Sequence, residues 1–214
     1  AVGDEIRTHG MTLVDLAGPA STVPAERIRW ASDATALADR DAVLVTVKAI
    51  DTVEAARRLA PHLAPASVVV SLQNGVRNPS LLRAGLPGRT VLGGMVFFNV
   101  VRGPGARLHR STGGPIVVER HGEDGLAIVE ALRRAGLQAL QRGDIDGVLW
   151  TKLLFNLNNA VNALSGLPLR DQLADVRYRR LFGATMTEGL RVLKAAGIRP
   201  ARLGTLTPSL AARV

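Results

Sequence analysis

One short segment, residues 150–162, carries a lysine and four of the seven asparagines of the chain. At about 100° per residue, a helix here would place Lys152, Asn156 and Asn159 on one face. The apolar side chains of the segment spread around its remaining surface, which predicts a helix packed mostly inside the protein. Buried amines and amides need polar partners. A ligand would supply such partners, and hydrogen bonds between neighbouring helices are the alternative.

Lysine can deliver a proton near neutral pH, because burial lowers its pKa, whereas a guanidinium group stays charged. The chain has 27 basic residues, and the only lysines are Lys48, Lys152 and Lys194. Lys152 is therefore the candidate general acid. Lys194 lies on a later helical segment, where an exposed position is expected.

Polar side chains also follow two predicted strands. Lys48 comes after an apolar run at residues 42–47, and Gln73-Asn74-Gly75 comes after a second run at residues 67–72. Continuously apolar strands of this kind are covered on both faces in parallel sheets. Taken separately, Lys48 is explained as a solvated lysine at a strand end, and Gln73-Asn74-Gly75 is explained as an ordinary turn. Side by side, they predict a ligand cleft at the carboxyl edge of a sheet.

The elements that position these residues follow from the hydrophobic pattern. Short β-branched runs alternate with helical stretches over the first two-thirds of the chain, which is typical of an α/β domain with a doubly wound parallel sheet. After a composition shift near residues 142–146, only helical spacing remains, which predicts an α/β domain over residues 1–143 and a helical domain over residues 144–214. Strands are expected at residues 10–16, 28–31, 42–47, 67–72, 90–98, 107–111, 116–119 and 137–140. Helices are expected at residues 51–63, 124–135, 147–165 and 171–196. A further helix is expected to begin with Asn78 as its cap and Pro79 as its first residue.

A nucleotide-binding domain of this type normally opens with a strand and a glycine-rich turn. No G-x-G-x-x-G sequence occurs before residue 40, and residues 1–9 have the pattern of a helix. We therefore expect the chain to begin inside its first domain and to stop, at residues 211–214, before its helical domain is complete.

Composition excludes several classes of protein. The chain has 214 residues, a net charge of +9, 3% aromatic residues and no cysteine. Disulfide scaffolds and cysteine-based metal sites are excluded, and we expect no metal site. The arginines are scattered, and few aromatic side chains accompany them, which argues against nucleic-acid binding. There is no apolar run of about 18 residues and no signal-peptide pattern, so a cytoplasmic protein without membrane contact is expected.

Several motifs together resemble one known family, the ketopantoate reductases (2-dehydropantoate 2-reductases). These motifs are V-x-V-K-A at residues 45–49, L-Q-N-G at 72–75, Gly93-Gly94, His109 ahead of Gly113-Gly114, and W-x-K-L-x-x-N at 150–156. Their order and spacing fit the family across about residues 1–200. Each motif is weak alone, and the pair formed by L-Q-N-G and W-x-K-x-x-x-N is fairly specific.

The resemblance implies a Rossmann-like NADP-binding domain over residues 1–143, without its first strand and glycine turn, and a helical substrate domain over residues 144–214. By motif match, Lys48 and Asn74 bind NADPH, and Asn74 also contacts the substrate. Lys152 is the proton donor, and Asn156 holds polar groups of the substrate. Asn159 lies outside these motifs and is added as a second substrate contact, because it faces nearly the same direction as Lys152. The implied reaction is reduction of 2-dehydropantoate to pantoate, a step of pantothenate and coenzyme A biosynthesis. A homodimer is one assembly consistent with this family.

Two positions depart from the family pattern. A second substrate asparagine usually stands eight residues after the lysine, where this chain has Ala160, and Asn159 lies one residue earlier. In the family another asparagine often follows the proline of the next turn. In this chain the residue after that proline, Pro168, is Leu169. The alternatives therefore stay open: a related reductase for another 2-oxo acid or an imine, a non-catalytic protein with the same fold, or a basic nucleic-acid binder.

Overall fold

The computed structural model describes residues 2–202, apart from the side chain of Val2. The expected chain end at residues 211–214 and the last part of the expected helical domain lie outside these residues. Along the described part the helices are α1 (Val2–His9), α2 (Thr52–Leu59), α3 (Asn78–Gly85), α4 (Gly122–Arg134), α5 (Ile145–Asn156), α6 (Asn158–Ser165), α7 (Leu169–Ala174) and α8 (Val176–Ala195). The strands are β1 (Met11–Val14), β2 (Ser21–Val23), β3 (Ala42–Val45), β4 (Val68–Ser71), β5 (Thr90–Val96), β6 (Val100–Arg102), β7 (Arg107–Arg110), β8 (Ile116–Glu119) and β9 (Ala139–Arg142). An α/β Rossmann-like domain followed by a helical region is therefore confirmed.

The main sheet has five strands in the order β3-β4-β5-β8-β9. The pairs β3/β4, β4/β5 and β8/β9 are parallel, and β5/β8 is antiparallel. The expected wholly parallel sheet is thus a mixed one. Because β3, β4 and β5 run in the same direction, their carboxyl ends lie at the same edge of the sheet.

Helices cover both faces of this sheet. On one face, α2 and α3 pack Ala56, Leu59 and Leu82 against Val43 and Val69. On the other face, apolar residues of α4 join a cluster that contains Val70, Leu92 and Val118. The helix α5 packs against Met95 of β5 and Val117 of β8. It thereby brings the helical region onto the sheet.

The strand β3 corrects one expectation. Leu44 and Val47 are 45% and 42% exposed, whereas Val43 and Val45 are buried. The sequence predicted burial on both faces, and within residues 2–202 only one face is covered, because β3 lies at the edge of the described sheet and α4 covers β8 and β9 instead. By contrast, β4 lies inside the sheet, and all four of its residues are buried as predicted.

A second sheet was not predicted. Its strands have the order β2-β1-β7-β6, and β2 and β6 contain three residues each. Runs of three residues, largely exposed, are too short to show an alternating pattern. The strand expected at residues 28–31 is absent; a short 3-10 helix, Ala25–Arg27, precedes this stretch, which has no regular structure.

The helical region is more divided than its spacing predicted. The helix expected at residues 147–165 is interrupted at Leu157, and the one expected at residues 171–196 is preceded by the separate helix α7 and begins after Asp175. Asp175 has extended backbone angles, and its carboxylate accepts a hydrogen bond from the Arg177 backbone N–H at 2.8 Å. The helical stretch ends at Ser165 as expected, and Gly166 follows it with a left-handed φ of 66°. Two boundaries differ slightly from the prediction. Arg77, not Asn78, occupies the N-cap position of α3, and the strand expected at residues 137–140 is β9, at Ala139–Arg142.

Candidate active site

Lys152 lies on α5 at the carboxyl edge of β5. Its Nζ atom is 5.3 Å from the centroid of the Phe97 ring, and Phe97 directly follows the last residue of β5. A cation over an aromatic face at this distance is attracted by the ring quadrupole. Burial of the half-buried side chain lowers the pKa of the Lys152 ammonium. The amine is thus held in place with its proton easier to release than in water.

Lys48 and Asn74 reach the same edge from the neighbouring strands. Lys48 begins the turn after β3, and Asn74 follows β4 by three residues. Both side chains are exposed. In the parallel register Ser71 stands opposite Gly93, so the chain after β4 leaves the sheet beside the last residues of β5. The structure therefore brings Lys48, Asn74 and Lys152 to one edge.

These three groups are available to a ligand. Within residues 2–202, neither the two ammonium groups nor the Asn74 side chain forms a hydrogen bond or an ion pair. Asn74 is tied down through its backbone instead, because its carbonyl oxygen accepts a hydrogen bond from Asn78 Nδ2 at 2.9 Å. Two cations and an amide on one edge form a donor set that suits an anionic or carbonyl-bearing molecule.

The cluster of asparagines divides into two groups. Asn158 is buried and exchanges two hydrogen bonds with Gln172, and Asn162 donates to the Leu167 carbonyl oxygen at 2.9 Å. These two make the structural hydrogen bonds that were the alternative interpretation. Asn156 and Asn159 make no side-chain hydrogen bond in the described part of the chain. The interruption at Leu157 separates them, so the single helix that was to align both with Lys152 is two helices.

Sequence reasoning missed Phe97, whose ring contacts the lysine. The pattern held a signal for it: in a strand predicted over residues 90–98, alternate residues face the same side. Met95 and Phe97 pack in the cluster that includes α5, whereas Leu92 and Phe98 pack on the side of α4. An aromatic residue at the carboxyl end of that strand was therefore a candidate neighbour of any group on α5.

The described residues contain neither a metal-binding cluster nor a membrane-spanning helix. No group of three or more histidine, cysteine, aspartate or glutamate side chains there is arranged to hold a metal ion. None of the helices in residues 2–202 has the length and apolar character that crossing a membrane requires.

Comparison with known families gives two matches along the chain. A family model described as ketopantoate reductase PanE/ApbA matches residues 3–123. A second model, ketopantoate reductase PanE/ApbA C terminal, matches residues 144–212. The two models occur here in the order of the α/β domain and the helical region.

Individual proteins agree with these matches. A 2-dehydropantoate 2-reductase from Mesorhizobium japonicum is 30% identical over 92% of this chain and 67% of its own length. Another from Halobacterium salinarum is 29% identical over 90% of this chain and 64% of its own. A crystal structure of a PanE/ApbA family ketopantoate reductase from Ralstonia eutropha JMP134 superposes with a TM-score of 0.82, at 28% identity, over 98% of this chain and 67% of that one. The chain thus spans about two thirds of the length of these relatives.

Proposed function

The chain belongs to the ketopantoate reductase family, and on that premise we propose that it takes part in NADPH-dependent reduction of a 2-oxo acid, 2-dehydropantoate, to pantoate. Residues 1–143 would bind the cofactor, and residues 144–214 would bind the substrate and supply the acid. The observation that carries this proposal is the position of the half-buried Lys152 amine beside Phe97, at the edge where Lys48 and Asn74 end their strands.

The nicotinamide cofactor fits the chemistry of the residues at this edge. An exposed ammonium, Lys48, suits a phosphate group, and the free amide of Asn74 suits a carboxamide or the substrate carbonyl. When bound, the cofactor supplies the hydride that reduces the 2-oxo carbon. We assign Lys48 and Asn74 to its binding, with Asn74 also in contact with the substrate.

Lys152 would act on the oxygen that becomes the alkoxide. An ammonium placed where negative charge develops stabilises the transition state more than the ground state. Because burial lowers its pKa, Lys152 transfers its proton to that oxygen more readily than an exposed lysine would. Asn156 and Asn159, whose amides are free in the described structure, would hold the carboxylate or hydroxyl groups of the substrate.

A second function has a specific observation in its favour. Leu169 stands where the family usually places one asparagine, and Ala160 stands where it places another, for which Asn159 would have to substitute. A related reductase for a different 2-oxo acid, or for an imine, would fit such a site better. An apolar contact discriminates only weakly against a polar substrate, so this function is separated from the first by rates and not by binding alone.

Initial rates of NADPH oxidation by the purified full-length protein decide between these functions. We expect kcat/KM to be highest with 2-dehydropantoate among a panel of 2-oxo acids and cyclic imines, and higher with NADPH than with NADH. A higher value with another oxo acid or an imine would favour the second function. A protein that neither binds nor oxidises NADPH would contradict the proposal.

The proposal extends to the cellular location of the protein, its oligomeric state and the molecules that it binds. We propose a cytoplasmic homodimer that binds small molecules and no nucleic acid. Light scattering during size-exclusion chromatography tests the dimer, and salt-dependent retention on immobilised DNA would contradict the last statement.

A further inference from the structure

A network of buried polar side chains joins the turns that carry Lys48 and Asn74. Its members are side chains at most 6% exposed: Thr52, Ser71, Gln73 and Asn78. Polar groups at this depth are stable only when they are paired. Their hydrogen bonds cross between β3 and β4 and between α2 and α3, which are distant in the sequence.

Gln73 forms the link between the two strand ends. Its Nε2 donates to the carbonyl oxygen of Val47 at 3.0 Å and to the hydroxyl of Thr52 at 2.8 Å. Its Oε1 accepts from the Ser71 hydroxyl at 3.1 Å. Val47 directly precedes Lys48, and Gln73 directly precedes Asn74. One side-chain amide therefore connects the backbones on which both exposed groups stand.

Asn78 completes the link from the first turn of α3. Its Nδ2 donates to the carbonyl oxygen of Asn74 at 2.9 Å, and its Oδ1 lies 3.0 Å from the Thr52 hydroxyl. The single Thr52 proton goes either to that oxygen or to the Ala49 carbonyl oxygen at 2.9 Å. Thr52 is thus the hub of the network, since it accepts from Gln73 and donates toward either partner.

The turn after Asn74 is constrained in addition. Gly75 has a φ of 110°, a backbone angle that residues other than glycine rarely adopt. A Cβ atom added there would also lie 3.3 Å from Asn78 Nδ2. This turn therefore requires glycine at position 75, and the Asn74 side chain before it stays exposed.

We propose that Thr52, Gln73 and Asn78 are positioning residues that hold Lys48 and Asn74 at a fixed separation across the sheet edge. The proposal rests on the proposed function, because it assigns these two exposed groups to cofactor and substrate. Groups held in place before binding lose less freedom when the ligand arrives, so the network lowers the cost of binding. The alternative is a network that only stabilises the fold. Its loss would then have the same effect as the loss of a buried hydrogen bond at the opposite end of the strands.

The test compares two ends of the same strand. Thr52→Val removes the hub with little change in volume, and Thr52→Ser keeps the hydroxyl. The matched control is Ser67→Ala at the amino end of β4, where a buried hydroxyl donates to the Arg40 carbonyl oxygen. The readouts are amide hydrogen exchange at residues 46–51 and 72–77, thermal unfolding, and the Michaelis constants for NADPH and the oxo acid.

We expect Thr52→Val to speed exchange in both turns on the order of tenfold, the scale of one lost buried hydrogen bond, and to raise both Michaelis constants by a similar factor. Thr52→Ser should stay within about twofold of the native protein in both respects. Ser67→Ala should lower the unfolding temperature while leaving exchange in the two turns and both constants unchanged. If Thr52→Val does not fold, Ser71→Ala, which removes only the hydroxyl bound by Gln73, should give a smaller change in the same direction.

Three results would overturn the proposal: unchanged exchange in the two turns, faster exchange with unaltered Michaelis constants, or equal effects from Ser67→Ala. Failure of the proposed function has a different signature. The native protein would then oxidise no NADPH with any substrate, and the exchange measurement alone would decide whether the network couples the two turns.

Discussion

At the scale of single residues, the proposed chemistry depends on one amine, Lys152, on which two opposing effects act. Partial burial of Lys152 disfavours its charged form and lowers its pKa, while the Phe97 ring stabilises the ammonium by about 0.5–1 kcal/mol. Burial thus places the pKa of Lys152 below that of an exposed lysine. A proton donor needs this balance: the charge must be present, and the proton must leave easily.

Substitution of Lys152 tests this role directly. Lys152→Ala should lower kcat at least about 100-fold, the usual scale of acid–base catalysis, and leave the dissociation constant for NADPH nearly unchanged. The matched control is Lys194→Ala, since Lys194 is an exposed lysine on α8. Steady-state kinetics and fluorescence titration with NADPH measure both quantities. Full turnover in Lys152→Ala would refute the assignment.

The same lysine sets the alkaline limb of the pH profile. In the proposed mechanism the protonated amine is the active form, so kcat/KM, which reports groups of the free enzyme, should fall as the pH rises through the pKa of Lys152. Because burial lowers that pKa, the midpoint should lie below about 10.4, the value for a free lysine. The residual activity of Lys152→Ala should lack this limb.

Motifs in the sequence identified the residue types at the edge but not their immediate neighbours. Lys48, Asn74 and Lys152 stand at ends of strands and on a helix that the hydrophobic pattern predicts. Phe97 and Asn158 belong to contacts between distant parts of the chain. Asn158 was one of four similar amides, and only the position of Gln172 on another helix shows that its role is structural.

At the scale of elements, predictions were good for long or buried segments and poor for short or exposed ones. The strand β4 is wholly buried, and its apolar run predicted it closely. The three-residue strands β2 and β6 form through pairing with β1 and β7, a long-range interaction without local signal. The exposed face of β3 was missed for the same reason. The position of a strand in its sheet depends on the order of the strands, which the sequence of one strand does not contain.

The start of α8 offers a test of a local helix signal. Asp175 accepts hydrogen bonds from the backbone and guanidinium of Arg177, and these lower its pKa to about 2. The folded pKa lies below the unfolded value of about 3.9, so the carboxylate stabilises the fold above about pH 4 and loses this effect as the pH falls through about 2. Asp175→Asn keeps a capping oxygen without the charge.

We therefore expect Asp175→Asn to lower the unfolding temperature at pH 7 and to match the native protein progressively as the pH falls below about 4. Thermal unfolding followed by circular dichroism across this pH range measures the difference. A difference that stays constant down to pH 3 would show that the charge of Asp175 does not contribute.

At the scale of the whole molecule, α5 joins the two parts of the described chain. Its first turns place Ile145, Val148 and Leu149 in a cluster with Met95 and Val117 of the sheet. Its last turn places Leu154 in a separate cluster with Met186 and Leu193 of α8. Lys152 stands between these two contacts. The helix that carries the proposed acid thus packs against both parts of the described chain.

This arrangement predicts that the sheet and the helices unfold together. Leu149 is 3% exposed, and Leu149→Ala should cost about 2–5 kcal/mol, because it leaves a cavity between α5 and the sheet. Leu164 on α6 is 89% exposed, so Leu164→Ala should change stability by less than about 0.5 kcal/mol. Denaturant unfolding followed by tryptophan fluorescence and by circular dichroism should give one coincident transition in all three proteins, shifted only in Leu149→Ala. Two separate transitions in the native protein would mean that α5 does not couple the sheet to the helices, and the position of Lys152 would then depend on the helical region alone.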